Sequence, residues 1–129
     1  MPSERFDSGL AVRREVLGHK YVEQALANAD AWTEPLQQLV TEYCWGEIWT
    51  RDGLDRPVRS LLNIVMMVAL NRPHELAVHV RGGLRNGCSR EEIVEALLQA
   101  TVYAGVPAGI DAFRVATGIF AEEETAEQP

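Results

Sequence analysis

The chain has 129 residues, and 12 basic against 19 acidic side chains give it a formal net charge of −7. A length near 130 residues predicts a single domain over residues 1–129. The 47% hydrophobic share is enough for a core and excludes a largely disordered chain. The acidic balance argues against nucleic-acid and membrane partners, because phosphate groups are bound by clustered Lys and Arg.

The N-terminus and the cysteines predict a cytoplasmic protein. Met1–Arg5 is followed by no apolar segment of the kind that a secretory signal needs. The longest apolar stretch, Leu61–Leu70, is interrupted by Asn63 and is shorter than the ~20 residues of a membrane span. Cys44 and Cys88 have neither CxxC nor metal-ligand spacing, so we expect two reduced, packed thiols and no metal site.

Apolar residues recur with helical periodicity along nearly the whole chain, and no segment alternates at period two. Gly18 suits the end of the first predicted helix, and Ser89 with Glu92 is a capping-box pattern at the start of the sixth. The acidic residues 122–129 are expected to fray. The sequence predicts an all-α fold of six or seven helices, with bounds near residues 3–17, 21–29, 34–49, 57–70, 71–86, 90–104 and 107–121.

Two of these helices carry more apolar surface than a small domain covers by itself. Apolar residues surround the helix at 57–70 on almost every side, and the helix at 90–104 is also rich in them. A helix that is apolar all round must be covered by neighbouring helices or by a second subunit. We therefore expect a homo-oligomer.

The first segment with chemical interest runs from Trp45 to Arg51 and is followed by Arg59 in the next helix. Two indoles, the acid Glu47 and two guanidiniums around one turn can form an apolar-walled pocket with forked carboxylate receptors. The alternative is a pair of core tryptophans with surface ion pairs. The residues alone leave both interpretations open.

The second segment is the predicted helix that begins near Arg72. Arg72, Glu75 and His79 are spaced i, i+3 and i+7, so they share one helix face. Glu75 could then orient the His79 ring and leave its other nitrogen for a substrate. The alternative is a surface Glu–His pair that contributes ~0.2–0.5 kcal/mol. His74 and His79 are five residues apart, whereas the helical zinc-protease motif needs four.

Taken together, these segments resemble the 4-carboxymuconolactone (γ-carboxymuconolactone) decarboxylase family over about residues 5–121. The likeness is carried by Arg13–Gly18, Trp45–Arg51, Arg59–Leu61, Asn71-Arg72 with Glu75-Leu76, His79–Arg81 and Tyr103–Ala108. Ala104, Gly109 and Ile110 depart from the family's pattern. The resemblance implies an alkylhydroperoxidase-D-like helical fold assembled as a hexamer, a trimer of dimers. In the peroxidase branch of that superfamily, two cysteines stand seven and four residues before the histidine; Arg72 and Glu75 occupy those places here.

The resemblance also implies an enzyme, a carboxy-lyase without a cofactor. It would convert 4-carboxymuconolactone to the β-ketoadipate enol-lactone in protocatechuate catabolism. The substrate is a butenolide whose γ-carbon bears both a carboxylate and a carboxymethyl arm. Loss of CO2 sends electrons through the ring double bond to the lactone carbonyl, so the substrate is its own electron sink and no cofactor is expected.

Within that resemblance, the anion-binding and shielding roles fall to arginines and tryptophans. Arg51 and Arg59 are expected to hold the retained carboxymethyl group by paired hydrogen bonds. Trp45 and Trp49 are expected to keep the leaving carboxylate poorly solvated. Arg72 is assigned to substrate binding.

The proton chemistry falls to three further residues. His79, oriented by Glu75, is expected to donate to the lactone oxygen as charge builds there. Either Glu47 or His79 then delivers the proton to carbon. Arg81 is either a third anion contact or a surface charge.

Three other functions stay open from the sequence. One is a same-fold enzyme that acts on a related lactone. Another is a peroxide-reducing thiol enzyme, disfavoured because Cys44 and Cys88 are unpaired in sequence. The third is a non-enzymatic oligomeric subunit, which only the apolar helices support.

Overall fold

The computed structural model describes residues 3–127, and all regular structure in that range is helical. The predicted all-α class is therefore confirmed. Backbone contacts divide the chain into an N-terminal unit that ends at Arg56 and a C-terminal unit that begins at Pro57. The helices are α1 (Glu4–Leu17), α2 (His19–Ala27), α3 (Glu34–Leu39), a π-helix (Val40–Ile48), α4 (Arg56–Leu70), α5 (Pro73–Arg85), α6 (Arg90–Ala104) and α7 (Val106–Glu127).

Local sequence signals set most helix ends. Ser3 caps α1 by accepting a backbone hydrogen bond at 3.0 Å, and the helix stops at Gly18, whose φ of 92° favours glycine. Ser89 and Glu92 form the predicted capping box of α6, with hydrogen bonds of 3.0 and 2.8 Å. The second helix begins at His19, two residues earlier than predicted, because Gly18 alone links it to α1.

The segment predicted as one helix over residues 34–49 changes its winding partway. It begins as α3 and continues as the nine-residue π-helix. At its end, the backbone N–H of Trp49 donates to the carbonyl of Cys44, five residues back, at 3.0 Å. Apolar spacing does not separate these two windings, so the expected regular helix is corrected here. π-helical turns are rare and are frequent at functional sites.

In the N-terminal unit, α1 packs against the π-helix. The buried core residues are Val12, Val16, Trp45 and Trp49. The two backbones come very close at Gly9, where a Cβ would lie 2.0 Å from the carbonyl oxygen of Thr41. Gly46 is equally constrained, because a Cβ there would lie 2.5 Å from the carbonyl oxygen of Arg5. Two glycines therefore permit the contact that buries the tryptophans.

In the C-terminal unit, α5 and α6 pack against α7. Its fully buried residues include Ile64, Val80, Ile93, Leu97 and Ala116. A polar contact joins α4 to the end of α5: the amide of Asn86 donates to the buried hydroxyl of Ser60 at 2.8 Å. The core thus holds α5, which carries the predicted histidine, between its neighbours.

Helix α7 continues through Glu127, and the fraying expected for residues 122–129 stays a prediction; residues 128 and 129 lie outside the described part. Glu and Ala are good helix formers, so the acidic composition does not end the helix. Its acidic turn is also tied to other helices by Glu122–Arg81 at 3.0 Å and Glu124–Arg90 at 3.9 Å.

The apolar surface of α4 is only partly covered within the chain. One stripe, formed by Ser60, Ile64 and Val68, is buried. The opposite side includes Leu62, Met66 and Leu70, which are 43%, 46% and 60% exposed. Further exposed apolar residues on α6 and α7 are Leu98, Val102, Tyr103, Val106 and Ile110. Among the residues that the structure describes, no helix has the length and apolar character of a bilayer span.

Candidate active site

The two predicted tryptophans pack against each other inside the N-terminal unit. Their ring centroids are 4.8 Å apart and tilted by 30°, and Trp45 and Trp49 are only 4% and 5% exposed. Val12 and Val16 of α1 complete the cluster. The core packing that the residues alone left open is therefore present, and the two rings form an apolar wall within the core of this unit.

The polar residues of this turn lie nearer to solvent. Glu47 pairs with Arg5 of α1 at 3.3 Å, and both side chains are about half exposed. An exposed ion pair of this type is weak, so the carboxylate can exchange partners. Arg51 is exposed beyond the end of the π-helix. The contact with Arg5 was not predicted, because it joins residues far apart in the chain.

Helix α5 carries the other predicted set on its first turns. Arg72 is exposed and precedes the helix, where its carbonyl accepts the N–H of Leu76 at 2.8 Å. Pro73 occupies the first turn, which suits a residue without an N–H. Glu75 is exposed, and His79, one turn later on the same side, is half-buried.

The environment of His79 favours its neutral form. Burial lowers the pKa of the imidazole below its usual value, and the charge of Glu75 opposes that change in part. Burial is the larger effect, so the ring is mainly neutral at neutral pH. A neutral imidazole has one N–H donor and one acceptor nitrogen. Its single N–H is therefore available to one partner at a time.

The remaining predicted arginines belong to the C-terminal unit. Arg81 lies two residues beyond His79, about 200° around the helix, and pairs with Glu122. Arg59 is half-buried on α4. A cavity of about 460 Å³ is lined by Arg81, Arg85 and Arg90 together with Cys88, Glu91 and Glu123. Arg81 thus faces acidic groups of this unit.

The contacts of the predicted residues follow the division of the chain. The structure brings Trp45 together with Trp49, and Glu75 with His79. Glu47 instead pairs with Arg5, and Arg81 pairs with Glu122. The segment from Trp45 to Arg51 belongs to the N-terminal unit, whereas Arg59 and the residues of α5 belong to the C-terminal unit.

Sequence reasoning missed one buried cation, Arg13 of α1, which is 5% exposed. Its Nη1 donates to Oε1 of Gln37 at 2.9 Å and to Oγ1 of Thr41 at 3.2 Å. Burial lowers the pKa of Arg13, and the nearby Tyr21 and Cys44 act in the opposite direction. The signal was positional: Arg13 has the helical spacing of the buried face of α1, not of its charged face.

Both cysteines are packed thiols, as predicted. Cys44 is half-buried, and burial raises its pKa although the charge of Arg13 lowers it in part. The thiol of Cys88 is buried and donates to the carbonyl of Pro57 at 3.3 Å. Across residues 3–127, no three His, Cys, Asp or Glu side chains are grouped as a metal site would require.

Fold and site define an all-helical protein in which ionic side chains, not thiols, precede the histidine. The chain belongs to the carboxymuconolactone decarboxylase family, whose sequence pattern matches residues 34–118. That range runs from the start of α3 into α7 and contains every site residue predicted above. Arg13 lies outside it. The family suggested by the sequence segments is thereby confirmed.

Two relatives are similar over most of the chain. The nitrosuccinic acid decarboxylase of Metarhizium robertsii is 48% identical over 110 residues, which cover 85% of this chain and 77% of that protein. The 4-carboxymuconolactone decarboxylase of Acinetobacter baylyi is 39% identical over 117 residues, which cover 91% and 87%. Both relatives are named as decarboxylases, with different substrates.

Proposed function

We propose that the protein decarboxylates a small dicarboxylate, and that this substrate is 4-carboxymuconolactone, converted to the β-ketoadipate enol-lactone in protocatechuate catabolism. The observation that carries the proposal is the half-buried imidazole of His79, with Glu75 one turn before it, on α5 of a chain from this family. Ionic residues stand where thiol chemistry would need cysteines. Burial also raises the pKa of Cys44, which disfavours the reactive thiolate of a peroxidase.

The chemistry of the substrate sets what the protein must supply. The bond from the γ-carbon to its carboxylate breaks, CO2 leaves, and the electron pair moves through the ring double bond to the carbonyl oxygen. A proton is then added to carbon, which gives the enol-lactone. Because the lactone itself accepts the electrons, the protein has only to bind, shield and protonate.

His79 is suited to stabilise the negative charge that develops on the carbonyl oxygen. Its neutral ring offers one N–H, and a donor in a half-buried position acts more strongly than one in water. After CO2 has left, His79 or Glu47 delivers the proton to carbon. The weak, exposed pairing of Glu47 with Arg5 supports that second choice, because the carboxylate can leave it.

Charge neutralisation and shielding come from the other predicted residues. Arg51 and Arg59 hold the retained carboxylate, and Arg72 adds a third cation. Arg81 contributes only when it leaves Glu122. The apolar wall of Trp45 and Trp49 disfavours the charged carboxylate relative to neutral CO2.

A specific observation favours a second substrate, nitrosuccinic acid. The relative that is named for this activity is 48% identical to the chain, against 39% for the lactone decarboxylase. In nitrosuccinate the leaving carboxylate sits on the carbon that bears the nitro group, which accepts the electron pair. Both molecules share a carbon with a leaving carboxylate, a CH2–COO⁻ arm and an electron acceptor. The same residues therefore serve either reaction.

Release of CO2 from the two compounds by purified, chelator-treated protein tests substrate, reaction and cofactor independence together. We expect turnover of both, with the higher kcat/KM for 4-carboxymuconolactone. A higher kcat/KM for nitrosuccinate would transfer the assignment to the second substrate. Absence of CO2 release from both would contradict the proposal.

Substitution of the histidine tests its role. We expect His79→Ala to lower kcat by ~10²-fold or more, as loss of one acid or oxyanion donor usually does. His74→Ala is a matched control, because His74 is exposed on the same helix. A His79→Ala variant with near wild-type kcat and an intact helical spectrum would remove His79 from the mechanism.

We propose further that the chain works as a homo-oligomer, a trimer of dimers. The support is the uncovered apolar surface of α4, α6 and the start of α7, since so many exposed large apolar residues are unusual for a monomer. Light scattering on the purified protein measures the mass directly. A monomeric mass of 14.3 kDa at micromolar concentration would contradict this assembly.

A further inference from the structure

The guanidinium of Arg13 is buried without a carboxylate beside it. Both acceptors on its Nη1, in Gln37 and Thr41, are neutral oxygens. Its Nε is fully buried and has no hydrogen-bond acceptor. Within residues 3–127, no acid pairs with Arg13. This side chain has no part in the mechanism above.

The contrast with other arginines of the N-terminal unit makes the arrangement unusual. Three more exposed ones each have an acidic partner: Arg5–Glu47 at 3.3 Å, Arg14–Glu23 at 2.5 Å and Arg56–Glu15 at 2.6 Å. A buried charge is costly unless it is paired, whereas an exposed one needs no partner. In this unit, three more exposed arginines have acidic partners, whereas the buried Arg13 has only neutral ones.

We propose that Arg13, Gln37 and Thr41 form a binding site for the carboxylate group of a small ligand. In catalysis this is the carboxylate arm that the substrate keeps, which Arg13 binds together with Arg51 and Arg59. That second statement rests on the proposed function, but the carboxylate site itself does not.

The geometry of the guanidinium supports this ligand. Nη1 is used by its two neutral acceptors, which hold the plane of the group in place. Nε lies on the opposite edge, and that edge presents two parallel N–H groups in the spacing that a carboxylate accepts bidentately. A charge-assisted bond there would satisfy the Nε and compensate the buried charge at once.

Residues around Arg13 bear on how a ligand reaches it and on how its binding can be detected. Tyr21, which lies close enough to influence Arg13 electrostatically, is 39% exposed, and Gln37 is half-buried. Because Arg13 is only 5% exposed, entry of a ligand requires one of these side chains to rotate. Cys44 also feels the charge of Arg13, so the reactivity of its thiol reports on what is bound there.

Calorimetric titration with succinate, a probe that has both carboxylates but no reactive group, tests the site without turnover. We expect Arg13→Met to weaken succinate binding about tenfold or more, because a charge-assisted hydrogen bond is worth at least that factor. Gln37→Glu should weaken it as much, since it supplies an internal carboxylate, and should raise the Tm. Gln38→Glu is the control: it adds the same charge at the neighbouring position, where the side chain bonds to Glu42 and not to Arg13. Its succinate affinity should stay within twofold of the wild-type value.

Alkylation with iodoacetamide locates the bound anion. A carboxylate on Arg13 cancels the charge that lowers the pKa of Cys44, so saturating succinate should slow alkylation of Cys44. Cys88, in the other unit, is the internal reference and should not change. The effect should disappear in Gln37→Glu.

Two results would overturn the site: no succinate binding by the wild-type protein, or wild-type affinity in Gln37→Glu. A more stable Gln37→Glu with unchanged affinity and KM would make Arg13 a structural residue only. With either substrate, Gln37→Glu should raise KM and leave kcat nearly unchanged. Binding of succinate without CO2 release from either compound would instead contradict the proposed function and leave the site intact.

Discussion

The close contact between α1 and the π-helix depends on Gly9, and Gly9→Ala tests it. The new Cβ would lie 2.0 Å from the carbonyl oxygen of Thr41 and 2.8 Å from the backbone nitrogen of Gly46. Ordinary contact begins at 3.4 Å, so the first atom is about 1.4 Å too close. Both atoms belong to the backbone of the π-helix, which a side-chain rotation cannot relieve. The two helices must therefore separate.

The expected loss of stability follows from two opposing effects. Overpacking costs about 1–3 kcal/mol and occasionally more, and we expect at least the upper end because backbone atoms cannot rotate away; Ala in place of Gly offsets this by improving helix propensity by about 1 kcal/mol. We expect a net loss of roughly 2 kcal/mol or more. At roughly 4 °C per kcal/mol for a chain of this size, the Tm should fall by about 8 °C or more. Because separation of the two helices exposes Trp45 and Trp49 to solvent, their fluorescence maximum should move to longer wavelength.

Thermal unfolding followed by circular dichroism measures this effect, with Gly118→Ala as the control. Gly118 is also helical, but no atom lies within 4 Å of the position of its Cβ. That variant should gain about 0.5–1 kcal/mol from helix propensity alone. A Gly9→Ala protein as stable as Gly118→Ala would refute the close backbone contact.

Two further predictions concern His79 and the cap of α6. Burial lowers the pKa of His79 in the folded protein. Just below pH 6.5, the imidazole therefore becomes protonated in the unfolded chain but not in the folded one. The Tm should therefore fall as the pH drops from 6.5 towards the folded pKa, and His79→Asn should lose that part of the slope while His74→Asn keeps it. Ser89→Ala should cost about 1 kcal/mol in urea unfolding, because it removes the hydroxyl that caps Glu92; an unchanged midpoint would contradict the capping box.

The parts of the site that depend on one helix were predictable from the sequence. Glu75 and His79 share a side of α5 because they are four residues apart, whatever packs around them. The burial that lowers the pKa of His79 was not predictable, because it comes from the neighbouring helices. The same reason applies to Arg81. Its position two residues after His79 predicts that it lies on another side of α5, but its pairing with Glu122 depends on where α7 packs.

By itself, the amino-acid order determined the all-helical class, most helix ends and the family, because caps and short-range periodicity are properties of neighbouring residues. Tertiary structure alone decided the π-helix and the burial of Trp45, Trp49 and Arg13. These depend on how closely α1 approaches a segment about thirty residues away. Such an approach is set by packing and by two glycines that permit backbone contact, and no local pattern encodes its distance.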